Sequence, residues 1–413
     1  MIAFALLILT LAGVMSRPRG VSEWIIAVVG AAAMLAVGAL TPAEALQTLA
    51  AQWNVLMFFL GLMATAAVAE QSGVLAWLTG AAYRVARGRQ DILFLLVCAL
   101  CVAVTATLSN DATILLLTPL LVRMVMAVGA PVLPYALACA FLANGASAVL
   151  PIANPTNVIV LEGHPLVLSE YVHHLLLPSC VAILATVGTL FLMHRSALST
   201  PLVERRHERR PPPRGAPAFA LGLVAVLTAY LVALEVAVPI GPVAVVGGAA
   251  LTSALLLGHR LHPRTFAADI EWGIFPFFAG LVVVVAGASR AGLVDTAATI
   301  IQELGANVMT GPILVGIASA LAANAMNNLP AAVLLSAALE RGATADHTIT
   351  AAVLVGIDVG PSFTTLGSLA TLMWLVILRR RGIAISSLDY LRWSFAPSLA
   401  ALAASLAVLS LFR

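Results

Sequence analysis

Two short polar interruptions, Ser109-Asn110-Asp111-Ala112-Thr113 and Asn327-Asn328-Leu329-Pro330-Ala331, stand inside otherwise apolar stretches at equivalent places in the two halves of a 413-residue chain. Lipid offers Asn and Asp no hydrogen-bond partner, so such side chains persist at membrane depth where they face a bundle interior or a water-filled path. A repeated pair is more restrictive than a single one, because polar midplane sites are commonly built from discontinuous helices in repeated units. The pattern predicts an all-α polytopic membrane protein of about ten transmembrane helices plus two re-entrant hairpins in two inverted repeats.

Composition supports this reading: 62% of residues are hydrophobic and 9% charged, against roughly 25% charged in soluble domains. All 21 basic residues are Arg, grouped at 17–19, 84–89, 195–214, 260–264 and 379–392. Placing these five groups and Arg123 on one side puts 18 arginines in the cytoplasm and leaves Arg290, Arg341 and Arg413 outside. The net charge of +3 therefore reports orientation and predicts a lipid partner with no nucleic acid. Residues 1–16 lack a basic leader and a small-residue cleavage site, so they read as a retained first span. Both termini are expected outside.

The basic, proline-rich run from Glu204 to Arg214 divides the chain. The expected units are a first repeat over 1–200, a cytoplasmic linker over 201–215 and a second repeat over 216–413. The halves resemble each other weakly: Phe58-Phe59-Leu60-Gly61-Leu62 returns as Phe277-Phe278-Ala279-Gly280-Leu281, 219 residues on, and Asn110 returns as Asn328, 218 residues on. The first hairpin, over 91–128, is expected to enter from the cytoplasm, and the second, over 309–340, from the outside. Each is followed by a long apolar stretch with its own break, 151–157 and 358–368. Proline lacks an amide hydrogen and glycine tolerates irregular backbone, so both stretches are expected to unwind within the membrane.

These four breaks predict a site lined by Ser109, Asn110, Asp111, Thr113, Asn154, Thr156, Asn157, Asn327, Asn328, Ser362, Thr364, Thr365 and Ser368. Such a lining supplies amides and hydroxyls and almost no charge. Half-helix ends add free N–H and C=O groups, and each Asn or Ser can also serve merely as a helix cap. Two acids occur in the breaks. Asp111 has Leu329 as its counterpart, and Asp358 has roughly Asn144. No Lys exists in the chain and no Arg lies in the breaks. Each Asp is therefore placed to take up and release a proton, unless helix-end N–H groups hold it ionised as a cap. No cofactor or metal is expected. Cys98 and Cys101 have metal-ligand spacing but no His or further Cys stands nearby in sequence. His164, His173 and His174 fall in an expected external loop.

The residues from Ser109 to Pro119 resemble the "AND…LILTP" segment of the ArsB arsenite efflux family. Met326-Asn327-Asn328-Leu329-Pro330, Gly356-Ile357-Asp358-Val359-Gly360-Pro361 and the run from Gly367 to Trp374 resemble its "MNN-P" and "G-DLGP…GSLATLLW" signatures. Ser109 stands where Ala is usual there, and Asn154-Pro155-Thr156-Asn157 replaces a Ser-Asn-containing break. The resemblance implies an ion-transporter superfamily fold with an elevator-like transport domain. It also implies a bacterial inner-membrane protein that expels arsenite and antimonite against inward proton flow, alone or with a soluble ATPase subunit. Arsenite is a small neutral trihydroxide at neutral pH, which suits an uncharged polar cage. A sodium-coupled dicarboxylate transporter or sodium/proton antiporter of the same superfamily, and an uncoupled channel, are the competing readings.

Overall fold

A computed structural model describes residues 2–202, 211–213, 215–257, 263–342 and 346–412. Most of the expected linker, 203–210 with Arg214, lies outside the described residues. Every described element is helical apart from one isolated bridge between Arg89 and Pro201. In lipid a helix satisfies its own backbone, whereas an open sheet edge cannot.

The helices of the first half are α1 (Ile2–Ser16), α2 (Glu23–Ala36), α3 (Pro42–Ala51), α4 (Trp53–Gln71), α5 (Val74–Ala86), α6 (Gln90–Thr107), α7 (Asn110–Ala127), α8 (Val132–Gly145), α9 (Pro155–Gly163) and α10 (Leu168–Met193). Those of the second are α11 (Ala216–Glu235), α12 (Ile240–Leu257), α13 (Pro263–Asp269), α14 (Ile274–Ser289), α15 (Leu293–Gly305), α16 (Gly311–Met326), α17 (Asn328–Gly342), α18 (His347–Val359), α19 (Leu369–Arg380) and α20 (Ser387–Leu409). Among the described residues, eight helical stretches are long and apolar enough to cross a bilayer, with shorter apolar helices beside them.

One body forms by exchange between the halves: α4 packs along α12, and α2 along α14. The repeated glycines do the same work in both. A Cβ on Gly61 would overlap the backbone of Ala244, and one on Gly280 would sit 2.6 Å from the carbonyl carbon of Ala27. Only a residue without a side chain permits backbones this close. The equivalent aromatics Phe59 and Phe278 meet edge to face with ring centroids 5.3 Å apart. Outside this body, Thr41 and Glu44 form a capping box that starts α3. The Thr41 backbone N–H first, then its hydroxyl and Arg290, hold the Glu44 carboxyl below the usual range. Arg290 thereby ties the end of α14 to α3.

The second body holds the breaks. In it α10 packs on α20, α6 on α8, α16 on α18, and α9 on α17. Both α10 and α20 carry an internal proline, Pro178 and Pro397.

Candidate functional site

The chain reverses between α6 and α7 at Ser109 and between α16 and α17 at Asn327. These residues have φ of +151° and +76° although neither is glycine. Such a conformation costs on the order of 1–3 kcal/mol and persists only where surrounding bonds fix it. At the first tip the bonds are local. Ser109 Oγ accepts the Ala112 N–H at 3.1 Å, the Thr113 hydroxyl donates to the Ser109 carbonyl at 3.1 Å, and Thr113 Oγ1 lies 2.7 Å from Thr105 Oγ1. Asn110 Oδ1 accepts the Asp111 N–H at 2.9 Å. A π turn over Thr113–Leu117 follows and packs on α19.

The second tip is tied instead to the break between α18 and α19. Asn327 Nδ2 donates to the Leu366 carbonyl at 3.1 Å, and the Asn328 N–H to the Gly367 carbonyl at 2.9 Å. Asn324, one turn before the tip, donates from Nδ2 to the Gly360 carbonyl and accepts from the Thr364 hydroxyl, both at 2.8 Å. Gly367 is pressed on Pro361 so closely that a Cβ would overlap the Pro361 carbonyl oxygen.

The two unwound segments are built alike. Asn154 accepts the Thr156 N–H at 3.2 Å to begin α9, and Ser368 accepts the Ala370 N–H at 3.2 Å to begin α19. Tyr171 of α10 donates its hydroxyl to the Ala148 carbonyl at 3.0 Å, and Tyr390 of α20 to the Ser362 carbonyl at 3.2 Å. Each tyrosine thus holds a carbonyl freed by the unwinding of its own half.

Asp358 joins the halves. Its Oδ1 accepts from Asn154 Nδ2 at 2.7 Å and from the Thr156 hydroxyl at 3.2 Å, while Ser147 and Asn157 stand against the same carboxyl. Asp358 is 1% exposed, and among the described residues its Oδ2 has no hydrogen-bond partner. Asn144 Oδ1, Asn157 Oδ1 and Ser362 Oγ are also buried without partners. Asn157 Nδ2 is taken by the Ser147 carbonyl at 2.8 Å, and Asn144 Nδ2 reaches Thr371 Oγ1 at 3.5 Å. The result is a buried cluster with more acceptors than donors.

Of the residues expected from sequence, the structure gathers Asn154, Thr156, Asn157 and Asp358 at one place, and Asn327, Asn328 and Thr364 at the adjoining break. Ser368 caps α19, and Thr365 is buried in the same segment. Among the described residues Ser109 and Asn110 bond only within their own hairpin, and Thr113 also accepts the Cys139 thiol of α8 on its carbonyl at 3.4 Å. Among the described residues the Asp111 side chain accepts no hydrogen bond, and it lies near enough to Glu271, in the turn before α14, for the two carboxyls to repel. Sequence reasoning missed Ser147, Tyr171, Glu271, Asn324 and Tyr390. Asn324 carried a signal, since it is a further amide in an apolar helix three residues before the tip. The cysteines also differ from expectation: α8 brings Cys139 against Cys101 with Cys98 nearby, although sequence separates them. The Cys139 thiol contacts Thr118 Oγ1 at 3.0 Å. Among the described residues no group of three His, Cys, Asp or Glu has the arrangement of a metal site.

Residues 4–357 match the profile of the citrate transporter family, CitMHS. The chain is 29% identical over 424 residues to an arsenical pump membrane protein of Escherichia coli, covering 100% of this chain and 98% of that one. It is 29% identical over 423 residues to that of Yersinia enterocolitica, with the same coverage. A putative arsenical pump membrane protein of Bacillus subtilis (strain 168) is 25% identical over 405 residues, covering 91% of each chain. The fold is similar to the crystal structure of the YdaH transporter of Alcanivorax borkumensis, with a TM-score of 0.59 and 16% identity, over 89% of this chain and 86% of that one. This multi-pass protein of the bacterial inner membrane belongs to the citrate transporter family, and its full-length similarity to arsenical pump membrane proteins bears out the resemblance carried by its motifs.

Proposed function

We propose that the chain is a secondary transporter that expels arsenite and antimonite across the inner membrane, driven by inward proton movement. The observation that carries this reading is the Asp358 carboxyl, buried with one oxygen held by Asn154 and Thr156 and the other without a hydrogen-bond partner among the described residues. A proton on Oδ2 turns an orphaned acceptor into a donor beside the buried, unpartnered amide oxygens of Asn144 and Asn157. Around it, amides and hydroxyls offer a neutral trihydroxide both donors and acceptors. The two hairpins are read as entering from opposite faces, the first from the Arg-rich side, so that the breaks lie between two water-accessible paths.

Transport of a carboxylate anion, the second reading, is favoured by the family profile. Among the described residues no guanidinium lines the breaks, and a multiply charged anion in such a site lacks the bidentate partner it needs. Everted vesicles with an acidic interior and no nucleotide separate the two. Accumulation of arsenite without sodium is expected, and sodium-dependent uptake of citrate with no metalloid uptake would replace the first reading with the second.

The spatial grouping of Cys98, Cys101 and Cys139 raises thiol binding of arsenic again. The three are buried, and Cys139 meets the polar break only from behind, through the Thr113 carbonyl at 3.4 Å. A variant with all four cysteines changed to Ala is expected to keep more than about half of wild-type arsenite uptake in the same vesicles. Complete loss at normal membrane abundance would assign the substrate to the thiols.

A further inference from the structure

A cavity of about 480 Å³ lies between the first turn of α6 and the end of α10. This is the Arg-rich side, which the positive-inside rule makes cytoplasmic. Its lining includes Arg89, Gln90, Phe191, Arg195, Ser199 and Thr200. The walls are joined by the Leu202 N–H donating to the Gly88 carbonyl at 2.8 Å. Asp91, also in the lining, takes Nε of Arg89 at 3.2 Å and one Nη at 2.6 Å. Arg195 has no such partner among the described residues, so the cavity keeps a surplus positive charge. Gln90 is 4% exposed, donates from Nε2 to Thr200 Oγ1 at 3.0 Å, and has an unpartnered buried Oε1.

An apolar track leads to this charge. Leu184 and Leu192 on α10 are exposed, and Leu95 on α6 is exposed one turn beyond Asp91. Between the two leucines of α10, a Cβ on Gly188 would meet nothing within 4 Å. In a bilayer this strip faces acyl chains and ends where α10 reaches the cytoplasmic interface.

We propose that the cavity binds the phosphodiester headgroup of an anionic phospholipid, with an acyl chain lying along α10. Basic pockets between helices at the cytoplasmic interface suit such headgroups, and an Arg fork matches phosphate oxygens. A bound headgroup bridges Arg195 at the end of α10 to Arg89 at the root of the α6–α7 hairpin. A free phosphate would leave the adjoining apolar track unused. The site does not depend on which solute crosses the membrane.

Thermal unfolding of the detergent-purified full chain tests this with phosphatidylglycerol, phosphatidylcholine or inorganic phosphate added. Phosphatidylglycerol is expected to raise the midpoint by roughly 2–4 °C, as a ligand of the folded state does, and the other two by less than about 1 °C. R195Q and S199D are expected to lose the shift, and R392Q, at an exposed arginine outside the cavity, to keep it. Ser199 is exposed and, among the described residues, its hydroxyl bonds only the Ser196 carbonyl, so S199D decides the matter if R195Q fails to fold. An equal shift with phosphatidylcholine or with phosphate alone, or an unchanged shift in S199D, would overturn the proposal.

Discussion

Asp358→Asn protein in everted vesicles is expected to let arsenite equilibrate while failing to accumulate it against its gradient. Asparagine preserves the size of the side chain and an acceptor for Asn154 and Thr156, so the packing of α18 against the α8–α9 break survives. What disappears is titration. Each proton moving down one pH unit supplies about 1.4 kcal/mol, a tenfold concentration ratio. A two-unit difference with the membrane potential clamped at zero therefore supports up to ~100-fold accumulation for one proton per metalloid. The wild type is expected to exceed tenfold and the variant to stay near onefold. Asp111→Asn is the companion measurement, because among the described residues the Asp111 side chain has no hydrogen bond to the Asp358 cluster. Uphill uptake retained there assigns the proton to Asp358 alone, whereas normal uphill uptake by Asp358→Asn would remove Asp358 from coupling.

The second large effect is structural. Gly61→Leu is expected to reduce the amount of folded protein in the membrane by more than about tenfold. The added side chain has no space, because the Gly61 Cα faces the backbone of Ala244 and that of Gly248 on α12. Side chains in cores can often shift, at roughly 1–3 kcal/mol for overpacking, but here the obstacle is main chain and the whole helix must move. Gly280→Leu is expected to behave alike, since Ala27 of α2 blocks it in the same way. Gly188→Leu provides the contrast, because that position opens on lipid and should be tolerated. Quantifying the fraction that stays monodisperse in mild detergent measures all three, and wild-type yield of Gly61→Leu would refute the close crossing of α4 and α12.

The parts of this fold legible in sequence are those where chemistry is out of place. Asn110 and Asn328 stand out in apolar surroundings, as do the prolines and glycines around Asn154 and Asp358, and the full-length similarity to arsenical pump membrane proteins agrees with the motifs they form. What could not be read is which break meets which. Asn154 and Asp358 are 204 residues apart, and nothing local marks them as neighbours. Tyr171 and Tyr390 looked like ordinary aromatic residues of apolar helices, because their role depends on carbonyls that only unwinding elsewhere releases. The grouping of Cys139 with Cys101 was hidden for a similar reason, as helical periodicity within α6 and α8 does not give their mutual rotation.

The exchange of α2 and α4 for partners in the other half has a consequence for biosynthesis. At about 5–20 residues per second, roughly ten to forty seconds separate the completion of α4 from that of α12. During that interval Gly61 and Phe59 face lipid or the insertion machinery, and the first half exists as an unfinished surface. Nascent chains stalled in the linker should therefore be the form most open to capture by membrane proteases, and two separately translated halves should each be short-lived unless both are made in the same cell.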